Sequence, residues 1–545
     1  MEKELANLIF PNITKTIEDY DAIYPKRNLP DGAKVTRYAP SPTGFIHIGA
    51  LLSSFTASVM AKQSNGAVIL RIEDTDRART IDNGVGLIIE GLKEFGVTFD
   101  EGPISQTESN GEYGPYIQSE REEIYHTFVK HLIEQGNAYP CFCSKEENDE
   151  TREHQTKNKK RIGYYGKYAK CRNLTTEEAM EKIKNGDRYI IRLKSPGCFD
   201  KKIVLDDLIK GRVEMPENDI DVPILREGLP TYHFAHLVDD YLMKTTHVTR
   251  GDEWLPSFPL HLQLFQMFGF KAPKYAHLSP LSKTDNGIVR KISKRKDPEA
   301  AMSYYHEEGI PEYAVMLYLA TLVNSNFEEW YNQNKDKTYE DFKFDFKKMS
   351  KSCPLFDGEK LNNIAKTYLS MQKASDIYDA ACIFFKKYDK EFYELFTKNP
   401  KYSIDLLNIE REVKKPRKDI AKYKDIKSEF YYMYDELFEN GEYEWQNISN
   451  MEDIKVILDE YLNLYDINDD KEAWFNKCRE LCDNLGYTSD MKAYKANPDA
   501  FKGNIADVTT VIRVALTKKA QTPDLYELLR LIGKDGIKNR FEKIK

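Results

Sequence analysis

Two short apolar runs flank one helical pattern near the start of the chain. The runs "KVTRYA" (34–39) and "AVILRIEDTD" (67–76) are typical of strands, and the second leads directly into acidic residues. Between them, "LLSSFTASVMAKQ" places Leu51, Phe55 and Val59 on one helical face. A strand, a glycine-bearing turn, a helix and a strand within about 40 residues predict a βαβ unit in a parallel sheet.

The pattern changes on either side of this unit. Residues 1–33 are predicted to form a short helical appendage that ends in the Pro/Gly-marked linker "YPKRNLPDG". Residues 121–222 mix cysteines, a basic loop and the strand-like "RYIIRLK", which predicts an insertion. Sheet-type sequence is expected to return in "PTYHFAHLVDDYLMKTTHVTRGDEW" (230–254), and from 345 onward the pattern predicts helices.

The composition is that of a globular protein and disfavours several classes. Of 545 residues, 41% are hydrophobic and 31% charged, which predicts roughly three to five domains with apolar cores. No apolar run is long enough to cross a bilayer, and the charged N-terminus lacks a secretory pattern. Eight cysteines in so long a chain predict no disulfide framework and favour the cytoplasm. The net charge of −8 argues against indiscriminate nucleic-acid binding but permits local basic patches.

The stretch "PSPTGFIHIG" lies between the predicted strand and helix. Its prolines stiffen the turn, and Gly44 permits close approach of a ligand to the backbone. His47 and Gly49 stand at the helix N-terminus, where free N–H groups and the helix dipole favour a phosphate. A histidine there can donate to a phosphate oxygen as charge develops on it. The alternative, an incidental histidine in a turn, is disfavoured by the length of the motif.

A second phosphate-type element lies downstream in "GIVRKISKRKD" (287–297). Lys291 and Lys294 bracket Ser293, which suits holding a triphosphate while negative charge shifts onto a leaving pyrophosphate. A solvated basic run is the ordinary explanation of such a stretch. The phosphate-type element upstream in the same chain favours the functional one.

Together these stretches resemble the motifs of a known enzyme family. "PSPTGFIHIG" resembles the HIGH motif and "KISKR" the KMSKS motif of class I aminoacyl-tRNA synthetases. "RIEDTDR", "TYHFAHLVDDYLM" and "TRGDEW" are similar specifically to glutamyl-tRNA synthetase, and "VIRVALTKKAQTPDLYELLRLIGK" to the end of its bacterial-type anticodon domain. The resemblance runs from Lys34 to the C-terminus.

The resemblance implies an α/β Rossmann-like catalytic domain with a parallel sheet and an inserted acceptor-binding domain, followed by an all-α anticodon-binding region. The implied organisation is an N-terminal extension at 1–33, a catalytic domain at 34–120 and 223–283, the acceptor-stem-binding insertion at 121–222, a KISKR-loop and stem-contact region at 284–350, and the helical anticodon-binding region at 351–545.

The activity implied by the resemblance has two steps. The α-carboxylate of L-glutamate attacks the α-phosphate of ATP, assisted by Mg²⁺, and the 2′-hydroxyl of the terminal adenosine of tRNA(Glu) then attacks the glutamyl-adenylate. No protein nucleophile is needed, so we expect no covalent enzyme intermediate. The resemblance further implies a monomer in the cytoplasm that activates glutamate only with tRNA bound.

The family's roles carry over to matching positions of this chain. Arg37 and Arg250 would bind the side-chain carboxylate of glutamate, although structural salt bridges are the ordinary role of either arginine alone. The other implied glutamate-binding residues are Glu73, for the α-ammonium, Ser41, Tyr232, and His236, which stands where an asparagine or cysteine is familiar. The implied ATP-binding residues are His47, Gly49, Glu253, Leu281, Lys291 and Lys294, of which His47, Lys291 and Lys294 are the catalytic ones.

A zinc site is one of two interpretations of three cysteines in the insertion. Cys141, Cys143 and Cys171 resemble the zinc site in the acceptor-binding insertion of some glutamyl-tRNA synthetases. Zinc takes four ligands, with cysteine and histidine favoured, and the fourth is left to Tyr164, Tyr168 or a water. Three unbound thiols are the equal alternative.

Basic residues also cluster in the helical half, at "REVKKPRKDIAKYKDIK" (411–427). Cationic side chains around Tyr423 would suit a single-stranded anticodon loop. A solvated helix face is the commoner explanation, so RNA contact is expected near this run without assigning it to these side chains.

Other classes remain as alternatives. Glutaminyl-tRNA synthetase tends to have "PEPNG" and "FDDTN" where this chain has "PSPTG" and "IEDTD", and an amide would oppose two cations. An enzyme that also glutamylates tRNA(Gln) stays open. A tRNA-modifying paralogue lacks the helical C-terminal part, and a small nucleotidylyltransferase would need neither this length nor the distant "KISKR". A non-catalytic tRNA-binding relative would leave His47, Lys291 and Lys294 without a purpose.

Overall fold

The structure is a computed structural model of the chain and describes residues 1–44, 46–76, 80–439 and 441–544. Phe45 of "PSPTGFIHIG" and Arg77, which closes "RIEDTDR", lie outside the described residues. The chain divides into two compact units: Met1–Tyr304 with Met316–Asp357, and Tyr305–Val315 with Gly358–Lys545.

The strands of the described residues all precede the helical C-terminal part. In chain order they are β1 Val35–Tyr38, β2 Ala67–Leu70, β3 Gly102–Pro103, β4 Ser109–Asn110, β5 Ala138–Cys141, β6 Ile190–Leu193, β7 Lys202–Asp207, β8 Gly211–Pro216, β9 Pro223–Arg226, β10 Leu229–Pro230, β11 His247–Gly251, β12 Lys274–Leu278, β13 Ser282–Asp285 and β14 Ile288–Lys291.

Helices alternate with these strands and then follow one another without interruption by sheet. Up to residue 333 they are α1 Glu2–Ile9, α2 Ile17–Ile23, α3 Ile48–Lys62, α4 Gly84–Glu94, α5 Glu122–Glu134, α6 Lys145–Lys157, α7 Thr176–Lys184, α8 Tyr232–Leu242, α9 Phe258–Met267, α10 Met302–Glu308, α11 Glu312–Val323 and α12 Phe327–Gln333. Beyond it they are α13 Gly358–Met371, α14 Ala374–Tyr388, α15 Lys390–Lys398, α16 Pro400–Asn408, α17 Asp425–Phe430, α18 Asp435–Phe438, α19 Met451–Leu464, α20 Lys471–Asn484, α21 Met491–Ala496, α22 Ile505–Thr517 and α23 Leu525–Glu542.

The predicted βαβ unit is confirmed. β1 and β2 pair in parallel with Val35 opposite Ala67, and α3 connects them. β11 lies on the other side of β1, because the backbone N–H of Thr246 donates to the carbonyl of Val35 at 2.9 Å. β12 pairs in parallel with β11. The carboxyl ends of these strands therefore point to one edge, which is where open α/β sheets bind ligands.

One sequence-based expectation about this region is wrong. Residues Tyr232–Leu242, expected as part of sheet-type sequence, form helix α8. The buried apolar side chains Phe234, Leu237, Val238 and Leu242 recur at helical spacing, and strand follows only at β11. This helix backs the sheet and carries Asp239 and Asp240 into its core.

The insertion forms a separate antiparallel sheet. β6 pairs with β5 on one side and with β9 on the other, and β10 extends the sheet beyond β9. Helices α6 and α7 begin with Ser144 and Thr175, each of which closes a capping box with a glutamate of the first turn.

Residues 1–33 pack into the first unit as part of its main core. Leu5, Ala6 and Phe10 belong to the same buried apolar cluster as Phe128 of α5. Further along, Arg27 lies 3.7 Å from the centre of the Tyr113 ring and pairs with Glu101. The appendage therefore contributes apolar side chains to the core of the first unit.

The second unit is helical, as predicted, and contains two apolar clusters. One gathers side chains of α19, α20, α22 and α23, and the other gathers side chains of α14, α15 and α16 with α17. Among the helices that the structure describes, none is long and apolar enough to cross a membrane.

Candidate active site

A cavity of about 890 Å³ opens at the carboxyl edge of the parallel strands. Arg37 projects from β1 and Arg250 from β11, and Glu73 lies three residues beyond the end of β2. Ser41 and Tyr232 also line this cavity. The structure thus brings together five of the six side chains that the resemblance assigns to glutamate.

A network of buried charges supports this cavity from behind. The Asp240 carboxylate accepts a 2.7 Å hydrogen bond from Arg71 and lies 3.4 Å from Nε of Arg37. Arg71 also donates to Glu73 at 3.1 Å. Although burial would raise the pKa of Asp240, the charges of Arg71 and Arg37 lower it below its ordinary value. Asp240 therefore stays ionised and fixes both arginines.

Glu73 faces the cavity from this network. Burial raises its pKa, while the charges of Arg71 and Arg37 act in the opposite direction. A buried carboxylate at the cavity wall is suited to receive an ammonium group.

His236 does not reach the cavity surface. Its side chain is fully buried, and its Nδ1 lies 2.9 Å from Asp240 while its Nε2 lies 2.9 Å from the hydroxyl of Tyr275. Burial lowers the pKa of His236 to about 3. The neutral imidazole contacts Asp240 and Tyr275, and its Nδ1 also lies 3.4 Å from a terminal nitrogen of Arg37. This side chain therefore supports the network from behind instead of lining the cavity.

His47 is the N-cap residue of α3. Its Nδ1 accepts from the backbone N–H of Ala50 at 3.1 Å, and a Cβ on Gly49 would lie 3.1 Å from the imidazole ring. Burial, followed by the charges of Lys294 and Lys291, lowers the pKa of His47 to about 4. The neutral ring therefore carries its proton on Nε2, which is left to donate to a ligand.

The "KISKR" segment follows the hairpin of β13 and β14. Lys291 lies 3.7 Å from Glu253, and both side chains are more than half exposed. Leu281 is buried, and its carbonyl accepts from the N–H of Ile292 at 2.9 Å. Lys294 is close enough to His47 for its charge to lower the histidine pKa. The structure thus brings the two phosphate-type elements to the same place.

Arg290 fixes the shape of this segment. Its guanidinium forms two hydrogen bonds with the Asp297 carboxylate, at 2.7 and 2.8 Å, and one with Asp285 at 2.8 Å. The same Asp297 accepts from the backbone N–H of Ser293 at 2.8 Å, which ties the turn to the hairpin. The hydrogen bonds with Arg290 are the first cause that lowers the pKa of Asp297.

The three cysteines of the insertion cluster around one phenol. The sulfur atoms of Cys141, Cys143 and Cys171 all lie within 4.8 Å of one another. The Tyr164 hydroxyl lies 3.4 Å from Cys141 Sγ and 3.3 Å from Cys143 Sγ. Hydrogen bonds from Cys143 and Cys171 lower the pKa of Cys141, which favours a thiolate there.

The basic run 411–427 is largely engaged within the second unit. Arg411 is buried and donates to the carbonyls of Leu407 and Leu369. Lys422 and Lys424 both pair with Glu308. These contacts give the run a structural role and leave its contact with RNA a prediction.

Several cavity residues were not found from the sequence. Trp254 packs against Tyr232 with the rings tilted by 30° and their centres 4.1 Å apart, and Gln118, Arg226 and Glu227 also line the cavity. Trp254 could have been found, because it closes the quoted "TRGDEW" motif, whereas the other three lie in segments without a motif.

Comparisons with known proteins identify the families that the chain matches. Residues 34–363 match the family described as tRNA synthetases class I (E and Q), catalytic domain, and residues 409–545 match an anticodon binding domain family. The chain is 47% identical to a glutamate–tRNA ligase of Clostridium perfringens (strain SM101 / Type A) and 46% identical to one of Acetivibrio thermocellus, over 99% of each chain. A crystal structure of a glutamate tRNA ligase from Elizabethkingia meningosepticum, in complex with its amino acid, is similar with a TM-score of 0.76 and 26% identity, covering 94% of this chain and 99% of that one.

Proposed function

The chain belongs to the glutamate–tRNA ligase family of the class I tRNA synthetases, and from this membership we propose how its residues join L-glutamate to tRNA(Glu). The observation that carries the proposal is the pair of buried guanidiniums, Arg37 and Arg250, at one cavity with Glu73. The two cations match the side-chain carboxylate of glutamate, and the one anion matches its ammonium group.

Glutamate would bind with its side-chain carboxylate between Arg37 and Arg250 and with its ammonium group at Glu73. Ser41 and Tyr232 would close the pocket, and His236 would act through Asp240 from behind. An amide side chain would direct N–H groups at these guanidiniums, so the site favours glutamate over glutamine. The glutaminyl alternative is thereby disfavoured on electrostatic grounds.

The ATP phosphates would lie at the N-terminus of α3, between His47 and the "KISKR" segment. There Nε2–H of His47 can donate to the α-phosphate, while Lys291 and Lys294 neutralise the charge that develops on pyrophosphate. Gly49 keeps the start of the helix open, and Glu253 and Leu281 would contact adenosine. Positioning and charge stabilisation thus supply the catalysis, without a protein nucleophile.

Mg²⁺ would add positive charge between the phosphate groups, as is usual in such sites. In the described residues the cations nearest this place are lysines, which bind phosphate directly, so the metal would be held mainly by the nucleotide. The protein side chains orient the phosphates around it.

Zinc is the interpretation that the cysteine cluster favours. A tetrahedral zinc with Zn–S bonds of about 2.3 Å separates its sulfur ligands by about 3.7 Å, and the sulfur atoms of Cys143 and Cys171 are 3.6 Å apart. Tyr164 would be the fourth ligand, because its oxygen contacts two of the three sulfurs. The metal would hold the insertion together instead of taking part in catalysis.

Charging assays test the proposal. We propose that the enzyme is a monomer of the cytoplasm. The purified chain should attach labelled glutamate to purified tRNA(Glu). It should show pyrophosphate exchange with glutamate only when tRNA is present. Attachment of glutamine to tRNA(Gln), with no use of glutamate, would overturn the assignment. Glutamate attached to tRNA(Gln) as well would identify the enzyme as one that charges both tRNAs.

A further inference from the structure

The contacts of Arg250 differ from those of the other buried arginines at this site. Arg71 is paired with Glu73, Asp239 and Asp240. Arg250 instead donates from Nε to Nε2 of His277 at 3.0 Å, and from one terminal nitrogen to Nδ1 of His261 at 2.8 Å. Its other terminal nitrogen lies 3.4 Å from the carbonyl of Trp254.

These contacts fix the tautomers of both histidines. An arginine can only donate, so His277 accepts at Nε2 and carries its proton on Nδ1, which donates to Asp207 at 2.6 Å. Likewise His261 accepts at Nδ1 and donates from Nε2 to Nδ1 of His233 at 2.9 Å. His277 and His261 are at most 1% exposed, and burial lowers the pKa of each, so both remain neutral near pH 7.

Neutral acceptors hold the guanidinium without cancelling its charge. Within the described part of the chain, no carboxylate lies within ion-pairing distance of Arg250, and Asp207 is separated from it by the imidazole of His277. Three of the five N–H donors of Arg250 are directed to His277, His261 and Trp254. One donor on each terminal nitrogen remains for the cavity, where the Tyr232 hydroxyl and a substrate carboxylate are the acceptors.

We infer that Asp207 and His277 are positioning residues that hold Arg250 rigid and uncompensated, so that the cavity selects a carboxylate over an amide. The carboxylate of Asp207 selects the Nδ1–H tautomer of His277, and this tautomer presents a lone pair to Nε of Arg250. Asp207 is in turn fixed by the backbone N–H groups of Ile209 and Lys210, at 2.9 and 2.7 Å. This inference rests on the proposed function, because it assigns the selectivity of the same site.

Two amide variants of His277 distinguish a role in positioning Arg250 from a role in stabilising the fold. In His277→Gln the side-chain amide reaches the place of Nε2 and can still accept from Arg250, whereas in His277→Asn it reaches only the place of Nδ1. Both bury an amide of similar polarity. His247→Asn, at the outer end of the same sheet, serves as the control, because His247 stacks on Phe346 away from the cavity.

The rate of aminoacylation is measured for each variant as the concentration of glutamate or ATP is varied, which gives KM for each substrate. Thermal unfolding of each variant shows whether its fold is retained. We expect His277→Asn to raise KM for glutamate about tenfold or more, with KM for ATP within about twofold, and His277→Gln to recover most of that loss. Asp207→Asn keeps an oxygen that accepts from the backbone N–H groups. It should also raise KM for glutamate, but by less than His277→Asn does. If His277→Asn and His277→Gln lose activity equally, or if glutamate and ATP KM rise together, the inference is overturned. An inactive wild-type chain would instead refute the proposed function.

Discussion

His47 and Ala301 form an isolated antiparallel bridge between the start of α3 and the segment that follows "KISKR". This backbone contact joins two stretches that are far apart in the sequence. It explains why the charges of Lys294 and Lys291 reach the imidazole of His47 and lower its pKa. The two segments that are predicted to bind phosphate therefore lie next to each other in the fold.

Replacing His47 by asparagine should preserve the N-cap of α3 while removing the Nε2–H group that would donate to the phosphate. Asparagine is a good N-cap residue, so the variant should unfold within about 3 °C of the wild type. Loss of the Nε2–H donor should lower kcat for pyrophosphate exchange by about 100-fold or more, with KM for glutamate nearly unchanged. An unchanged kcat in this variant would show that His47 does not act on the phosphate groups.

Lys294 should matter for the chemical step more than for binding glutamate. Lys294→Ala removes a cation from the side of the leaving pyrophosphate, so kcat should fall by about 100-fold. Lys296→Ala, at an exposed position of the same basic segment, is the matched control and should stay within about threefold. Equal effects of the two substitutions would show that only the overall charge of the segment counts. Pre-steady-state measurement of adenylate formation distinguishes these outcomes.

Arg250→Gln should affect glutamate far more than ATP. The substitution removes a buried cation that lines the cavity and replaces it with a neutral amide. Loss of a charge-assisted pair predicts an increase of about 100-fold in KM for glutamate, with KM for ATP within about threefold. Titration of each substrate at saturation of the other measures both. Similar increases in KM for glutamate and for ATP would show that Arg250 does not bind glutamate specifically.

Elemental analysis tests the cysteine cluster. We expect about one zinc per chain after purification without chelator, and its loss in Cys143→Ser. Tyr164→Phe should retain the metal with weaker affinity if the phenol is the fourth ligand, while Cys198→Ser, an exposed cysteine outside the cluster, should leave zinc unchanged. A chain that neither contains zinc nor takes it up from a zinc buffer would favour three free thiols.

Acid should destabilise the fold through its buried histidines. Burial lowers the pKa of His236 to about 3, and that of His233 to about 4, below the ordinary value of about 6.5 that applies to the unfolded chain. As the pH falls below that value, the unfolded chain takes up protons that the folded chain does not. The stability present above about pH 6.5 is therefore lost progressively as the pH falls toward the folded-state values.

Chemical denaturation between pH 7.5 and 4.5 measures this effect. His236 alone should contribute a slope of up to about 1.4 kcal/mol per pH unit in the free energy of unfolding. His236→Asn should reduce the slope by that amount while keeping a polar partner for Asp240. An unchanged slope in this variant would show that His236 does not stay neutral in the folded chain.

The sequence by itself determined the local elements and the kind of chemistry. The βαβ unit was readable from apolar spacing, and His47 could be placed at a helix N-terminus, because these properties depend on residues close together in the chain. The family resemblance also implied a carboxylate-binding arginine pair, and the cysteine spacing left a zinc site and three unbound thiols as equal alternatives. Helix α8 was missed because its polar residues Asp239 and Asp240 are buried, which weakens the usual contrast between faces.

The tertiary structure alone decided which groups act together. Asp240 contacts Arg37 and Arg71 because α8 lies behind β1 and the end of β2. Asp207 reaches Arg250 through His277 because β7, β12 and β11 are neighbours in one sheet. Such contacts depend on the register of strands that are distant in sequence, and no local pattern encodes them. For the same reason residues 1–33 received no role from the sequence, although their apolar side chains belong to the same buried cluster as side chains of β1, β2 and α8.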